Sequence, residues 1–213
     1  MNATDVYAWL SGGSQRGACD GFDAHVLASV LAIGIAESAN GHSPVTESVG
    51  LSGEALAGLA AEVFPHAAAV FARVRHETLA ARPADEDCLR ELLRRHSTEG
   101  SGFQSCLADV VARRCMRPNH LWQDLGLRSR RELSWLMARH FEPLASRNGK
   151  DMKWKKFLYR TICRDDGYRL CAAPICSECD DFEACFGEEN GESLIARVHR
   201  DADPVAGAAM AAG

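Results

Sequence analysis

The sequence predicts a mainly α-helical protein, a single helical domain with a C-terminal cysteine-rich, cluster-binding loop. Three observations predict it. Apolar residues recur at helical spacing in successive segments. Helix-capping residues stand just ahead of several of those segments. From Cys171 to Cys185 the periodicity stops and four cysteines take its place. With 213 residues, 46% hydrophobic and 25% charged, the chain can bury one sizeable core. The reading divides it into an N-terminal segment over 1–21 with the freedom to be flexible, a helical domain over 22–200 containing the loop 163–187, and a disordered, low-complexity tail over 201–213.

The elements follow in order. Phe22 to Ser38, rich in Ala and Leu, is expected to form the first long helix. Its longest apolar run, Val26 to Ala36, is short for a bilayer span and suits a buried helix. Gly41, Ser43 and Pro44 make a loop. Ser52 then caps a helix that stops near Phe64-Pro65, because proline disfavours the helical conformation in the residue before it. One stripe joins Cys88, Leu89, Leu92 and Leu93. Another joins Phe103, Leu107, Val110 and Val111 behind a Ser101/Gln104 capping box. Cys88 and Cys106 on these stripes read as small core residues. A Pro-initiated turn begins at Pro118. Ser129 and Glu132 form a second box ahead of Leu133, Leu136, Met137, His140 and Phe141. Asn148-Gly149 is a break. The last helix runs from about Met152 to Cys163, with Trp154, Phe157, Leu158 and Ile162 inward.

Charge and cysteine usage exclude several classes. A net charge of -5 argues against a nucleic-acid binder. The first 21 residues carry Asp5 and Asp20 and lack a basic start followed by an apolar run, so no export signal is read and the expected location is the cytoplasm, away from the membrane. In that reducing compartment nine cysteines do not read as a disulfide framework. Five of them fall between Cys163 and Cys185, which points to metal binding. No G-x-S-x-G or H-E-x-x-H string occurs, and no enzymatic turnover is expected.

Cys171, Cys176, Cys179 and Cys185 stand as C-x4-C-x2-C-x5-C. The central pair can aim two sulfurs at one centre, and thiolates are soft ligands for zinc, copper(I) or iron–sulfur clusters. The first three follow the C-x4-C-x2-C run of plant-type ferredoxins, while the fourth follows at once instead of far downstream. Structural zinc sites usually pair two C-x2-C knuckles, and here there is one. Spacing alone thus favours an iron–sulfur cluster over zinc, with a metal-free loop as the third reading.

Several residues near the module carry two readings. Cys163 is a fifth ligand or transfer thiol, or a buried helix-end cysteine. His120 and His140 could ligate metal; the bland alternatives are a helix-flanking residue and a satisfied core histidine. Arg147, Lys150, Lys153, Lys155, Lys156, Arg160 and Arg164 precede a stretch from Cys171 to Glu192 that has seven carboxylates and no Lys or Arg. Lys153, Lys155, Lys156 and Arg160 are either a solvated helix face or a surface that steers a partner or an oxyanion such as molybdate.

Three stretches together resemble the NifQ family. They are Cys115-Met-Arg-Pro-Asn-His-Leu-Trp-Gln-Asp-Leu-Gly-Leu127, Met152-Lys-Trp-Lys-Lys-Phe-Leu-Tyr-Arg160, and the cysteine module closing with Cys185-Phe186-Gly187. Weaker likenesses occur at Gly50-Leu51 and Phe64-Pro65, and the resemblance covers roughly residues 50 to 190. It implies a carrier of a molybdenum–iron–sulfur cluster, held by Cys171, Cys176, Cys179 and Cys185. Such a carrier supplies molybdenum to the NifEN scaffold together with NifH during nitrogenase iron–molybdenum cofactor biosynthesis. The rivals are a ferredoxin-like electron carrier and a zinc-stabilised interaction module.

Overall fold

The N-terminal residues already build part of the core. In the computed structural model, which describes residues 2–13, 20–41 and 43–165 with side chains to Ile162, α1 spans Ala3–Ser11. Asn2 caps it, accepting from the Asp5 amide at 2.9 Å while the Asp5 carboxylate accepts from the Asn2 amide. Ala3, Val6, Tyr7 and Leu10 repeat at helical spacing and are all buried. The expectation of a flexible segment outside the domain is therefore corrected over residues 3–11. A short stripe suffices because it docks on α2 (Gly21–Ala39).

Helix α2 starts at Asp20, whose carboxylate accepts from the Phe22 and Asp23 amides. Every residue from Val26 to Gly34 is buried. The helix has the length and mean hydropathy of a bilayer span. Its apolar character on all sides is met instead by the surrounding helices, as the central helix of a bundle requires.

Helix α3 (Val45–Val49) ends at Gly50, with φ +79°, and α4 (Gly53–Val63) is capped by Ser52, whose hydroxyl accepts from the Ala55 amide. It ends at Phe64, ahead of Pro65 as the sequence indicates. Two 3₁₀ turns flank the short α5 (Ala68–Phe71). Helix α6 (Ala84–Arg95) opens on Asp85, Glu86 and Asp87 and closes on Arg94 and Arg95, in line with its dipole. Its buried stripe is Glu86, Leu89, Leu92 and Leu93, while Cys88 is exposed. Cys88 is one step off the stripe, about 100° around the helix from Leu89; it is not a core residue.

Capping differs in detail from the sequence expectation. Ser101 caps α7 (Gly102–Cys115) through the Gln104 amide, but the Gln104 side chain accepts from the Glu99 and Gly100 amides instead of completing a box. The turn expected at Pro118 begins at His120, where the His120 amide donates to Gln123 Oε1 at the start of α8 (Leu121–Asp124). Ser129 makes no side-chain cap on α9 (Arg130–His140). Glu132 instead accepts from His25 and from the Arg128 amide. Helices α10 (Glu142–Arg147) and α11 (Trp154–Asp165) follow. The buried side chains of these helices form one cluster, and every regular element among the described residues is helical.

Two glycines test how tightly α3 and α7 pack. Gly41 and Gly50 both have positive φ. A Cβ at Gly41 meets nothing within 4 Å, whereas one at Gly50 would lie 2.5 Å from the Arg113 Cβ. Gly41→Ala should cost about 1 kcal/mol of backbone strain. Gly50→Ala should cost roughly 3 kcal/mol, because overpacking adds to the strain. Equal shifts in urea midpoint would show that the α3–α7 contact yields freely.

A second test uses the Tyr7–His25–Glu132 chain, which links α1, α2 and α9 at 2.8 and 3.2 Å. Burial pushes the Glu132 carboxyl up, but hydrogen bonds from His25 and the Arg128 amide outweigh it and the net shift is downward. A carboxyl lowered in the folded state adds stability above its unfolded pKa and loses it as pH falls through the folded value. Glu132→Gln should therefore cost about 1 kcal/mol at neutral pH, and the gap to wild type should close on acidification. A gap that stays constant through the acid range would contradict this.

Candidate functional site

Cys171, Cys176, Cys179 and Cys185 lie outside the described residues, as does the acidic stretch around them. The structure describes the platform that leads to them. Helix α11 carries Lys155, Lys156, Arg160 and Cys163, with Lys153 just ahead of it; Cys163 is in the helix, and its side chain lies outside the described set.

Two strings distant in sequence meet at this platform. The Lys155 ammonium donates to Asp124 Oδ2 on α8 at 2.5 Å and to the Arg117 carbonyl. Asn119 also donates to the Asp124 carboxylate, at 3.0 Å. The Asp124 side chain is only 5% exposed and that of Lys155 18%, so this is a buried pair. One helical turn on, the Tyr159 hydroxyl donates to the Met116 sulfur at 3.4 Å. Trp154, Phe157 and Leu158 supply the apolar side of α11, and Ile162 is half-buried. Of the steering set, Lys156 is exposed, Lys153 and Arg160 are half-buried, and Lys155 is committed to the interior.

Two thiols of the body, Cys106 and Cys115, are unsuited to metal. Burial pushes Cys115, at the end of α7, up to about 12, with the Lys155 charge pulling the other way. Burial, reinforced by Asp109, also raises Cys106. Both thiols are therefore protonated at neutral pH, and it is the thiolate that ligates metal. Among the described residues no group of three or more His, Cys, Asp or Glu side chains is placed to hold a metal ion.

His140 takes the core-histidine role. It is buried, with Nε2 2.9 Å from Asp23 Oδ1 and Nδ1 3.5 Å from the Gln104 side-chain nitrogen. His120 is half-buried at the N-cap of α8. The structure does not bring these two histidines together in a metal-binding group.

The same end of the molecule has a cleft of about 370 Å³ between α10, the turn 148–152 and α11. Among the described residues, Arg147, Lys150 and Arg160 line it, and no carboxylate does. Met152 and Phe157 form apolar wall. Asn148 shapes the turn with a pair of bonds to the Met152 backbone, at 2.9 and 3.0 Å. Asp151, at φ +54°, turns its carboxylate to Arg130 at 2.8 Å. Sequence reading placed Arg147 and Lys150 in a basic run but had no means to see that they face Arg160 across a cleft. The only local signal was their position on either side of Asn148-Gly149.

Comparison with known proteins covers most of the chain. The family described as NifQ matches residues 26–187. A protein named Protein NifQ homolog from Sinorhizobium fredii (strain NBRC 101917 / NGR234) is 40% identical over 173 residues, 81% of this chain and 75% of the relative. Protein NifQ of Rhodobacter capsulatus is 37% identical over 169 residues, 78% of this chain and 91% of the relative. Protein NifQ of Azotobacter vinelandii is 39% identical over 116 residues, 54% of this chain and 60% of the relative. No solved structure matches the chain.

The two neighbouring lysines of α11 should behave very differently. Lys155→Ala strands the buried Asp124 carboxylate and should cost about 3 kcal/mol or more. Lys156→Ala removes an exposed charge and should stay within about 0.5 kcal/mol of wild type. Urea unfolding of both variants checks this, and comparable losses would mean that the Lys155 pair is not a stabilising contact.

Proposed function

We propose that this chain, which belongs to the NifQ family, is a cytoplasmic carrier that donates molybdenum for assembly of the nitrogenase iron–molybdenum cofactor. The observation that carries the reading is the extent of the family match. It runs from residue 26 to residue 187 and so takes in the whole module from Cys171 to Cys185. Family membership supports a role in nitrogen fixation, and the donor set supports the finer role. Four thiolates within one short segment suit an iron–sulfur cluster. When bound, such a cluster supplies sulfur ligation for the molybdenum cargo.

The described residues have a supporting part in this reading. Lys155 and Asp124 hold the helix that precedes the module in sequence. Cys106 and Cys115, kept protonated by burial, do not compete with the module for metal. The receiving partners are the NifEN scaffold and NifH, and the chain delivers its cargo without catalytic turnover.

The test compares full-length wild type with Cys176→Ala, both purified without oxygen and freed of unbound molybdate. Wild type is expected to be brown, to contain iron and labile sulfide, and to support cofactor formation on NifEN and NifH. Cys176→Ala is expected to remain folded and helical, because the core packs without metal, yet to fail as donor. Equal cofactor formation from the variant would refute the carrier mechanism. A wild-type protein that cycles electrons but never yields molybdenum would be a ferredoxin-like carrier, and a colourless zinc protein would be an interaction module.

A further inference from the structure

We propose that His140, held between Asp23 and Gln104, is an acid-operated latch. While neutral it pins the turn 96–101 to the junction of α9 and α10, and a proton taken from solvent at Nδ1 releases that turn. The latch is separate from the cysteine module and from the carrier reading above.

The hydrogen bonds fix where the protons are. Gln104 Oε1 accepts from the Glu99 and Gly100 amides, at 2.8 and 3.0 Å. The other end of that side chain, its NH2 group, therefore faces His140 Nδ1, at 3.5 Å. Nδ1 must present a lone pair there. The proton of the neutral ring then sits on Nε2 and is donated to Asp23 Oδ1, 2.9 Å away. A second proton has no place in this arrangement. An Nδ1–H would point at the Gln104 NH2, donor against donor. Turning the amide over offers its oxygen to Nδ1–H but swings the NH2 toward the Glu99 and Gly100 amides, which are donors too. His140 is 5% exposed and Gln104 3%, so water cannot repair either mismatch unless the turn moves.

The turn is built to let go. Thr98, Glu99 and Gly100 are all exposed, so little apolar burial holds them. Besides Gln104, the Thr98 amide donates to the His140 carbonyl at 2.9 Å, and the Glu142 amide donates to the Thr98 hydroxyl at 3.1 Å. His140 thus holds the turn twice, by its ring through Gln104 and by its carbonyl through Thr98. The charges around the ring come from α2 and α9. The Asp23 carboxylate of α2 faces Nε2. Arg139, next to His140 on α9, lies 3.4 Å from the same oxygen and also pairs with Asp20, so that carboxylate is shared. From α7 the ring meets Gln104 and, at 5.5 Å between centroids, Phe103, and both are uncharged. The Glu99 and Glu142 side chains, on the turn and on α10, are exposed.

The test follows two signals on the full chain as pH falls from about 8 to about 5, the range in which histidines change charge. One is the nitrogen shifts of the His140 ring. The other is amide protection against hydrogen exchange, corrected for the intrinsic pH dependence of exchange. At the alkaline end the ring should be the Nε2–H tautomer, with the Glu99 and Gly100 amides protected. As the ring takes its second proton, protection of those two amides should fall at least ~10-fold, the size of losing one hydrogen bond. Amides in the middle of α2 should keep theirs. Gln104→Glu has an acceptor for each side, so it should keep Glu99 and Gly100 protected while His140 is charged. Gln104→Leu should leave both amides unprotected across the whole range, with no step. An Nδ1–H or charged ring at the alkaline end overturns the latch. So does a ring that takes its second proton while Glu99 and Gly100 stay protected, or one that takes none before the whole chain unfolds. A Gln104→Glu variant that opens with the wild-type step, or α2 amides that lose protection in that step, does the same.

Discussion

The contact between Lys155 and Asp124 sets where α11 sits, and everything C-terminal to it departs from that helix. Apolar burial by Trp154, Phe157 and Leu158 draws α11 onto the body, but it is non-directional and tolerates sliding. An ammonium that must meet both the Asp124 carboxylate and the Arg117 carbonyl has few acceptable positions. Both groups are largely out of water, so neither can exchange its partner for solvent without a large desolvation cost. The Tyr159–Met116 contact repeats the link one turn later. The end of α7, the α8 turn and α11 are thereby joined at one corner.

Helix α7 extends the same principle through the body. Asp109 receives Arg90 and Arg94 from α6, Arg113 reaches Glu47 on α3 and Glu86 on α6, and Arg114 reaches Glu37 on α2. Arg114 is completely buried, and desolvation lowers its pKa while the Glu37 carboxylate opposes that shift. The helix thus carries an apolar stripe and a set of charged anchors. The stripe supplies most of the favourable burial, and the anchors select which neighbours it packs against. Gly50 allows the α3 end to approach this crowded helix, because any Cβ there would overlap Arg113.

Charge signs are segregated in the sequence around α11. Three cations line the cleft beside α11, while the sequence that follows α11 is rich in carboxylates. Thiols are sorted as well. Cys106 and Cys115 sit where burial keeps them protonated, while the other cluster of cysteines is gathered into a segment without apolar periodicity. Burial of these two thiols limits metal capture at their positions.

The sequence by itself determined the helical class, the limits of α2, α4 and α11 to within a few residues, and the single core. Those features follow from short-range causes: 3.6-residue periodicity, the Ser52 and Ser101 caps, and the effect of Pro65 on Phe64. The cysteine spacing and the resemblance were legible for the same reason, being written in consecutive residues. Tertiary structure decided what depends on distant partners. It placed residues 3–11 in the core, since a four-residue stripe becomes informative only once α2 is there to receive it. It moved Glu132 from a cap to His25, and took Lys155 from the exposed basic face into a pair with Asp124. It also brought Arg147 and Lys150 to Arg160 across the turn. Charged side chains are long and can pair with whatever packing brings near, so their partners are a property of the assembled core and not of the local chain.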